Sequence, residues 1–528
     1  MRTVDPATWS KNKVKLGVKP TWQQAQGLEA RLRKSLADAL AEYLTHCTLT
    51  GIRHTRDERI SNHMRRCYGL LIVFLIISGT SVIMYSAYKH STRPPLQVNV
   101  RTSADSPSLS FPAVAICSNC IVSEKALQKY AEELAAKDNN STYTTEDIKE
   151  YIKNFGAMIN LSRPEYKNLA FLRFLYKIDS AFNITDLMYK LAPKCSSILK
   201  KCAWRGHSIG CEILFTERAT ALGYCCVFNS RYDPVDINNK PKTLEVPGQN
   251  FGLTVAVRED REDFAVIRRP ITGFQVLLFE GSEYPLIESG AVRVYPVGVN
   301  GTAFFQLTAH AQHVSKRLEG YSDKWRGCRI PKQAGPRTAL SSYSWCLTFC
   351  RRFTTLAVCN CLPFYLLPNE TDTVCTTEHL QCLYKHKEKL VYYYPGETQD
   401  SSLDEELQDS QMCTECIPDC ARLLHTAAVF HTVYYYPTKL LKSQFSSGVS
   451  LMNTTILRFF YPTISHQVYN VEINMSWYEA FASISCQIWF LLGASLVCVA
   501  ELVFHLTFRW AHHFWRRTQQ MKRITKLY

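Results

Sequence analysis

Two long apolar runs stand out along the chain, one towards each end. Residues 68–88 contain no charged side chain and follow a pair of arginines, and about 20 apolar residues suffice for a helix to cross a bilayer. This run begins too far from Met1 for a secretory signal peptide, so it predicts a retained membrane anchor. Residues 481–508 form the second run, which contains Glu501 and exceeds the length of a straight crossing, so we expect this helix to be tilted or interrupted. The pattern predicts two transmembrane helices, with both termini on one side of the membrane.

The segment between the two runs changes its pattern several times. Residues 111–117 end an alternating stretch that predicts a strand, and residues 123–190 are polar and favour exposed helices. Short β-type runs separated by Gly, Pro and Asn fill residues 211–310 and predict a sheet. Residues 320–425 are rich in cysteine, and a last β-like stretch at 426–474 returns to the second apolar run. We therefore expect a membrane-anchored α+β chain with a large extramembrane domain.

Basic residues are concentrated beside the two apolar runs. Residues 1–66 carry 13 Lys and Arg against 6 Asp and Glu, and residues 509–528 carry 6 bases and no acid. Positive charge beside a membrane helix marks its cytoplasmic side, and this placement makes nucleic-acid binding the poorer interpretation. We predict a plasma-membrane protein with a cytoplasmic segment at 1–66, helices at 67–88 and 481–508, an extracellular domain at 89–480 and a cytoplasmic tail at 509–528.

Sequons and cysteines favour the same topology. Of the 21 cysteines, 17 lie between the runs, a density typical of disulfides in an oxidising compartment. Acceptor sequons matter only on an extracytoplasmic face, and although some arise by chance, none lies in the predicted cytoplasmic ends. The eight Asn-x-Ser/Thr sites are at Asn139, Asn140, Asn160, Asn183, Asn300, Asn369, Asn453 and Asn474. The segment between the runs is therefore predicted to be extracellular and glycosylated.

The motifs of catalysis and metal binding are largely missing. The chain has no Gly-rich phosphate loop and no HExxH, and an ectonucleotidase of this topology would need Asp-x-Gly loops, which are missing as well. Cys413, Cys416 and Cys420 superficially suggest zinc spacing, but no partner CxxC or HxxxH lies nearby. We therefore expect a protein that is not an enzyme and that needs no metal or cofactor. A two-span receptor or adhesion protein is the alternative from another class.

Five segments carry more specific motifs. They are FPAVAIC at 111–117, CCVFN at 225–229 after Gly223, nine cysteines from Cys346 to Cys420, Gly493-Ala494-Ser495 followed by Glu501, and FHLTFR at 504–509. Together they resemble the degenerin, epithelial sodium channel and acid-sensing ion channel family, most closely its arthropod pickpocket branch. The resemblance implies two transmembrane helices per subunit and a disulfide-rich extracellular domain. That domain would have a β-sheet palm, a helical finger and knuckle, and a thumb at about residues 320–425.

The same resemblance implies how most of the cysteines pair. Sequence alone leaves the connectivity open, because the number of pairings grows steeply with the number of cysteines. The implied pairs are Cys117 with Cys225, Cys202 with Cys211, Cys328 with Cys420, Cys346 with Cys416, Cys350 with Cys413, Cys359 with Cys382, and Cys361 with Cys375. Cys120, Cys195 and Cys226 remain, so we expect an odd thiol or a bond between chains.

The resemblance also implies which residues form the pore. Gly493, Ala494 and Ser495 would be the selectivity filter, and Glu501 would add a carboxylate on its cytoplasmic side. A small-residue packing seam is the alternative for the tripeptide, since membrane helices often pack through such residues. For Glu501 the alternative is that its side chain reaches the cytoplasmic interface, although a carboxylate at membrane depth ordinarily faces the bundle interior.

Five residues would take part in gating by the same resemblance. Thr50 and Gly51 stand where the family has His-Gly before the first helix, and the glycine still permits a tight re-entrant turn. Ala482 aligns with a small gate-adjacent residue. Trp325 resembles the aromatic at the base of the thumb that meets a Tyr at the outer end of the first helix, and Tyr88 is its candidate partner. An interfacial belt residue is the alternative for Tyr88.

The function implied is a subunit of a sodium-permeable, amiloride-sensitive cation channel gated through its extracellular domain. One pair of helices encloses no pore, so several chains must surround an axis, and the family's arrangement is a trimer. The expected partners are like subunits in a homo- or heterotrimer, membrane lipid and sodium ions. Protons, peptides, small ligands and force all act on this architecture, so the sequence does not name the stimulus.

Overall fold

The computed structural model describes most of the chain in two compact units. One unit lies within Met1–Pro95 and Ile473–Tyr528, and the other lies within Leu96–Glu472. The first contains both apolar runs and is called the helical unit here, and the second, which the sequence predicts to be extracellular, is called the extracellular unit. The described residues are 22–46, 61–92, 96–103, 108–138, 142–161, 169–330, 342–393, 411–434, 445, 447–473, 477–492 and 495–527.

The described residues of the helical unit form six helical segments. They are α1 (Trp22–His46), α2 (Asn62–Thr92), α14 (Trp477–Leu492), α15 (Leu496–Phe504), a π-helical turn (His505–Arg509) and α16 (Trp510–Leu527). Among the described residues, one helix is long and apolar enough to cross a membrane, at Asn62–Lys89, and its most apolar 18-residue window has a mean hydropathy of 2.3. The helix α2 extends beyond the predicted 67–88 at both ends, because polar residues continue the helix past the apolar run. The second run is described as α14 and α15, on either side of residues 493–495.

The extracellular unit is built on seventeen described strands. They are β1 (Leu96–Ser103), β2 (Leu109–Ser110), β3 (Ala113–Ser118), β4 (Cys120–Ser123), β5 (Leu199–Trp204), β6 (His207–Ile209), β7 (Phe215–Thr220), β8 (Gly223–Phe228), β9 (Thr243–Leu244), β10 (Leu253–Arg258), β11 (Phe264–Ile267), β12 (Phe274–Phe279), β13 (Arg293–Val297), β14 (Gly301–Val314), β15 (Arg422–Val433), β16 (Thr454–Phe460) and β17 (His466–Ile473). The predicted sheet at 211–310 and the β-like return at 426–474 correspond to β7–β14 and β15–β17.

Eight strands form the larger sheet around the long strand β14. The order is β1-β17-β14-β16-β10-β5-β6, and β15 pairs with β14 as well. β14 pairs antiparallel with β15 along its length and parallel with β16 and β17 in succession along its other edge. Its side chains alternate between buried and partly exposed positions, as expected for a strand with one face on the core. Because β1 follows α2 in the chain and β17 precedes α14, this sheet contains both strands that connect to the helical unit.

A five-stranded sheet packs against the larger one. Its order is β13-β12-β3-β8-β7, and its central strands β3 and β12 are buried along their whole length. Side chains from both sheets share one hydrophobic core, in which Phe305 of β14 stacks on Phe459 of β16 with ring centroids 4.4 Å apart. Gly223 begins β8 at φ +96°, a conformation that side chains rarely adopt, so glycine closes the β7–β8 hairpin there. Two further pairs, β2 with β9 and β4 with β11, complete the described sheets.

Helices cover one part of these sheets and form the cysteine-rich block. They are α3 (Glu124–Lys137), α4 (Thr145–Lys153), α5 (Ala157–Asn160), α6 (Leu169–Ile178), α7 (Ile184–Leu191), α8 (Cys195–Ile198), α9 (Cys211–Leu214), α10 (Asp323–Arg326), α11 (Tyr343–Cys359), α12 (Leu380–Lys385) and α13 (Lys387–Val391). Side-chain caps fix several of their starts. Ser123 accepts from the backbone of Ala126 at 3.2 Å, and Thr144 forms a capping box with Asp147.

Eight disulfides join described cysteines. Seven of them are the pairs that the family resemblance implies: Cys117–Cys225, Cys202–Cys211, Cys328–Cys420, Cys346–Cys416, Cys350–Cys413, Cys359–Cys382 and Cys361–Cys375. The eighth joins Cys195 to Cys226, which leaves Cys120 as a buried free thiol. Cys346 and Cys350 lie one turn apart on α11, so both face the returning segment that carries Cys413 and Cys416.

Candidate functional site

The second apolar run is interrupted where the sequence predicts the filter. α14 ends at Leu492, and Ser495 precedes α15 with extended backbone angles of φ −107° and ψ 170°. The Ser495 hydroxyl accepts a hydrogen bond from the backbone N–H of Cys498 at 3.4 Å and so caps the new helix. Gly493 and Ala494 lie outside the described residues. Ser495 therefore stands at a true helix start inside the apolar run rather than in the middle of a continuous helix.

Glu501 lies in α15, six residues after Ser495. At a rise of 1.5 Å per residue, its backbone is about 9 Å further along the helix axis. The side chain is partly exposed in the single chain. The π-helical turn His505–Arg509 begins four residues later, and π-turns within helices are frequent at functional positions.

The two apolar runs contact each other through α2 and α14. The amide of Gln487 donates to the Ser86 hydroxyl at 3.5 Å, so a polar pair links the two helices. Ala482 lies on α14 and is exposed in the single chain. Thr50 and Gly51 fall outside the described residues, so their predicted re-entrant turn stays a prediction.

Trp325 lies at the start of the cysteine-rich block. It belongs to α10 and stacks on Tyr321 with centroids 4.3 Å apart and an interplanar angle of 17°. The neighbouring Arg326 is buried and donates to the Leu318 carbonyl at 2.9 Å, which fixes the turn before the Cys328–Cys420 bond. Tyr88 is exposed on α2, and its pairing with Trp325 stays a prediction, because the two residues belong to different units.

Three of the predicted glycosylation sites are exposed in the structure. Asn160 ends α5, Asn183 caps α7 and Asn369 lies in the cysteine-rich block. Asn300 and Asn453 are partly buried, and the side-chain oxygen of Asn300 accepts from the Asn453 backbone at 2.7 Å. A glycan therefore fits more readily at the first three positions. Asn139, Asn140 and Asn474 lie outside the described residues.

A buried group of ionisable residues joins the sheets to the cysteine-rich block. His425 of β15 is fully buried, with Nδ1 3.2 Å from the Tyr461 hydroxyl and Nε2 3.5 Å from Glu280 Oε2. The other oxygen of Glu280 accepts from Arg231 at 3.1 Å. Burial, together with the nearby charge of Glu280, raises the pKa of the Glu283 carboxyl to about 7. Sequence reasoning did not find this group, because its members are far apart in the chain.

The extracellular unit also holds a cavity of about 800 Å³ between α7, β7 and α11. Aromatic rings line much of it, and its charged side chains are paired, as with Arg218 and Asp236 at 2.6 Å and Arg352 and Asp372 at 2.8 Å. No sequence pattern indicated this cavity. This cavity gives the unit room for a small ligand.

One motif of a hydrolytic enzyme escaped the sequence analysis. Residues 206–210 (GHSIG) have the G-x-S-x-G spacing of a nucleophile elbow. That motif requires its serine on a sharp turn between a strand and a helix. Ser208 instead lies within the strand β6, paired with Ala203 in an antiparallel hairpin. The geometry therefore does not support a catalytic serine at this position.

Comparisons with known proteins agree with the motifs. Residues 43–505 match the family described as amiloride-sensitive sodium channel. Sodium channel protein Nach from Drosophila melanogaster is 22% identical over 374 residues, which cover 67% of this chain and 67% of that protein. Pickpocket protein 28 from the same organism is 20% identical and covers 90% of this chain and 79% of its own length. Among solved structures, a proton-activated chloride channel covers 83% of this chain and 97% of its own, with 7% identity and a TM-score of 0.25, which carries no argument about this fold.

Proposed function

This chain belongs to the amiloride-sensitive sodium channel family, and from that membership we propose that it is a pore-forming subunit of a sodium-permeable cation channel. The observation that carries the proposal is the helix start at Ser495, inside the second apolar run. In this proposal α2 and the segment 477–508 both cross the plasma membrane. Both termini are then cytoplasmic, and the disulfide-rich unit is extracellular.

Three chains around one axis would bring three copies of the interrupted segment together. The extended backbone of Ser495 interrupts the helical hydrogen-bond pattern, and a helix end leaves carbonyls without a partner in their own helix. Unpaired carbonyls at membrane depth are tolerated only where they face protein or water. Directed at the axis, they would replace part of the hydration shell of a cation. This accounts for a filter at 493–495.

Glu501 would form a ring of three carboxylates on the cytoplasmic side of that filter. A ring of fixed negative charge raises the local concentration of cations and repels anions. The ring would therefore increase cation conductance without itself distinguishing Na⁺ from K⁺. Amiloride block, a homo- or heteromeric trimer and gating by the extracellular unit belong to the same proposal, which the family membership supports.

The test compares reversal potentials and conductance in voltage-clamped cells that display the chain at their surface. Replacing Ser495 with Ala or Val should change the permeability ratio among Li⁺, Na⁺ and K⁺, because the capping hydroxyl and the width at this position both change. Glu501→Gln should lower cation conductance, and the loss should shrink as salt rises, since mobile ions screen fixed charge.

Ser81 provides a matched control for Ser495. Its hydroxyl donates to the Ile77 carbonyl at 2.8 Å in α2, so Ser81→Ala removes a hydroxyl from a membrane helix outside the filter. We expect Ser81→Ala to leave the permeability ratio unchanged. Unchanged ratios for both Ser495 variants, together with full conductance for Glu501→Gln, would show that the pore is not formed by this segment.

A further inference from the structure

The first helix of the chain packs against the helix that continues the second apolar run. Asp38 of α1 pairs with Arg517, Glu42 pairs with His513 and Arg509, and Tyr43 meets the ring of His505 edge-on at 5.7 Å. Residue numbers increase along α1 while the numbers of the partner residues decrease along the other helix, so the two helices are antiparallel. Four residues about one turn apart, from His505 to Arg517, thus contact one face of α1.

The seam between these helices is narrow. Among the α1 side chains that the structure describes, at 30 and 32–46, the buried ones are Ser35, Ala39 and Tyr43, which follow one another at intervals of one turn. Two of these side chains are small and bury little apolar surface, so hydrophobic burial contributes only part of the attraction. The ion pairs at Asp38 and Glu42 therefore add to what holds α1 in place.

Glu42 is the residue through which pH can act on this contact. Its carboxylate accepts a hydrogen bond from His513 Nε2 at 2.9 Å and lies 3.2 Å from Arg509. The bond from His513 and the charge of Arg509 hold the pKa of the Glu42 carboxyl below its usual value, so Glu42 stays ionised near neutral pH. Arginine keeps its charge at every physiological pH, whereas histidine ordinarily gains or loses its charge between pH 5 and 8.

Other described ionisable groups also lie at this contact. Asp38 faces Arg517 across the seam, and His505 faces Tyr43 at its far end. On the outer side of α16, the ring of His512 lies 6.2 Å from that of His513. Among these described groups, His513 is the histidine that bonds directly to a carboxylate of α1. A proton on His513 therefore adds an attraction to the Glu42 carboxylate, and loss of that proton removes the attraction.

We propose that α1 is a cytosolic clamp on the inner end of the pore helix, and that His513 tightens it as the cytosolic pH falls. The cytosolic location rests on the topology proposed above. The clamp contacts the π-helical turn at His505–Arg509, directly after the proposed pore helix, and α1 leads in sequence towards the segment at 47–61. Cytosolic protons would therefore bias the inner end of the pore.

Hydrogen exchange on the full-length chain in lipid nanodiscs measures the clamp directly. Between pH 7.8 and 6.2, after correction for the intrinsic exchange rate, the protection of α1 amides should rise roughly two- to fivefold, as expected for one partly exposed ion pair. His513→Gln should remove this rise. His513→Arg should give high protection at both pH values, because it supplies a permanent charge. Arg516→Gln is the matched control on the exposed side of α16 and should behave as the unchanged chain.

Current recorded from inside-out patches links the clamp to conduction. Changing the pH of the cytosolic solution should alter the open probability of the unchanged chain and have little effect on the His513→Arg channel. Protection of α1 that is independent of pH would overturn the clamp, even in a conducting channel. Protection that follows pH while the current does not would overturn its link to the pore. If α1 protection follows pH while the Ser495 and Glu501 variants leave ion permeation unchanged, the proposed pore is contradicted and the clamp stays intact.

Discussion

The disulfide between Cys195 and Cys226 should contribute measurably to the stability of the extracellular unit. Cys226 is buried in β8, beside Cys225, which is bonded to Cys117. Cys195 begins α8, and its backbone N–H donates to Glu217 at 2.9 Å. The bond therefore connects the start of α8 to β8 of the five-stranded sheet.

The size of this contribution follows from the chain that the bond closes. The two cysteines are 31 residues apart, and the Cys202–Cys211 bond shortens the loop between them. Loop-closure entropy for some 25 residues corresponds to roughly 3 to 4 kcal/mol at 25 °C. For a unit of about 380 residues, with an unfolding entropy of about 2.1 cal/mol/K per residue, this lowers the melting temperature by about 4 °C.

The assay compares the purified chain with the double variant Cys195→Ala and Cys226→Ala by tryptophan fluorescence at one fixed heating rate. A fixed rate is needed because a large, disulfide-rich chain often unfolds irreversibly. Cys120→Ala is the control, since it removes one buried thiol that forms no disulfide in the structure. We expect the control to shift the melting temperature by much less than the double variant. Equal shifts, or a peptide map in which Cys195 and Cys226 are both alkylated without reduction, would refute the reasoning.

Two further predictions concern pH and gating. The pKa of Glu283 is raised to about 7, so the folded chain binds a proton more tightly than the unfolded chain, and the stability that this proton provides is lost as pH rises towards 7. The free energy of unfolding of Glu283→Gln, measured relative to that of the unchanged chain by thermal unfolding, should therefore increase by roughly 1 kcal/mol from pH 6 to pH 8. If the difference between the two chains is the same at both pH values, the burial of this carboxyl is contradicted. Ala482→Trp should give constitutive current because added bulk on α14 opposes helix closure. A silent Ala482→Trp channel that reaches the cell surface would show that Ala482 is not beside the gate.

Local sequence patterns were sufficient for the first apolar helix, for the polar helices within 123–190 and for most of the strands. The apolar run at 68–88 predicts α2 because a membrane-length stretch without charge has few other uses. The alternation along 301–314 is the pattern of a strand with one buried face, and the structure has β14 there. The interruption of the second run was an expectation from its length, and Ser495 is a residue type that ordinarily begins helices. In each case the signal lies within neighbouring residues.

Local sequence patterns did not predict the disulfide pairing, and the family resemblance did so for most of the cysteines. Spacing alone leaves many pairings open, and the nested order of Cys328–Cys420, Cys346–Cys416 and Cys350–Cys413 came from resemblance. Cys195 and Cys226 had no such guide, because the family's strand has a Tyr at the position of Cys226. Their bond depends on how α8 packs against β8.

Only the tertiary structure decided the features that depend on distant residues. The burial of Glu283 near Glu280 depends on the approach of the cysteine-rich block to the sheets, and the contact of Glu42 with His513 joins residues from opposite ends of the chain. β14 likewise takes parallel partners from β16 and β17, more than 140 residues further along. The sequence pattern of a segment indicates the periodicity and burial of that segment. Which distant segment packs against it depends on packing and charge over the whole fold, and no single segment contains that information.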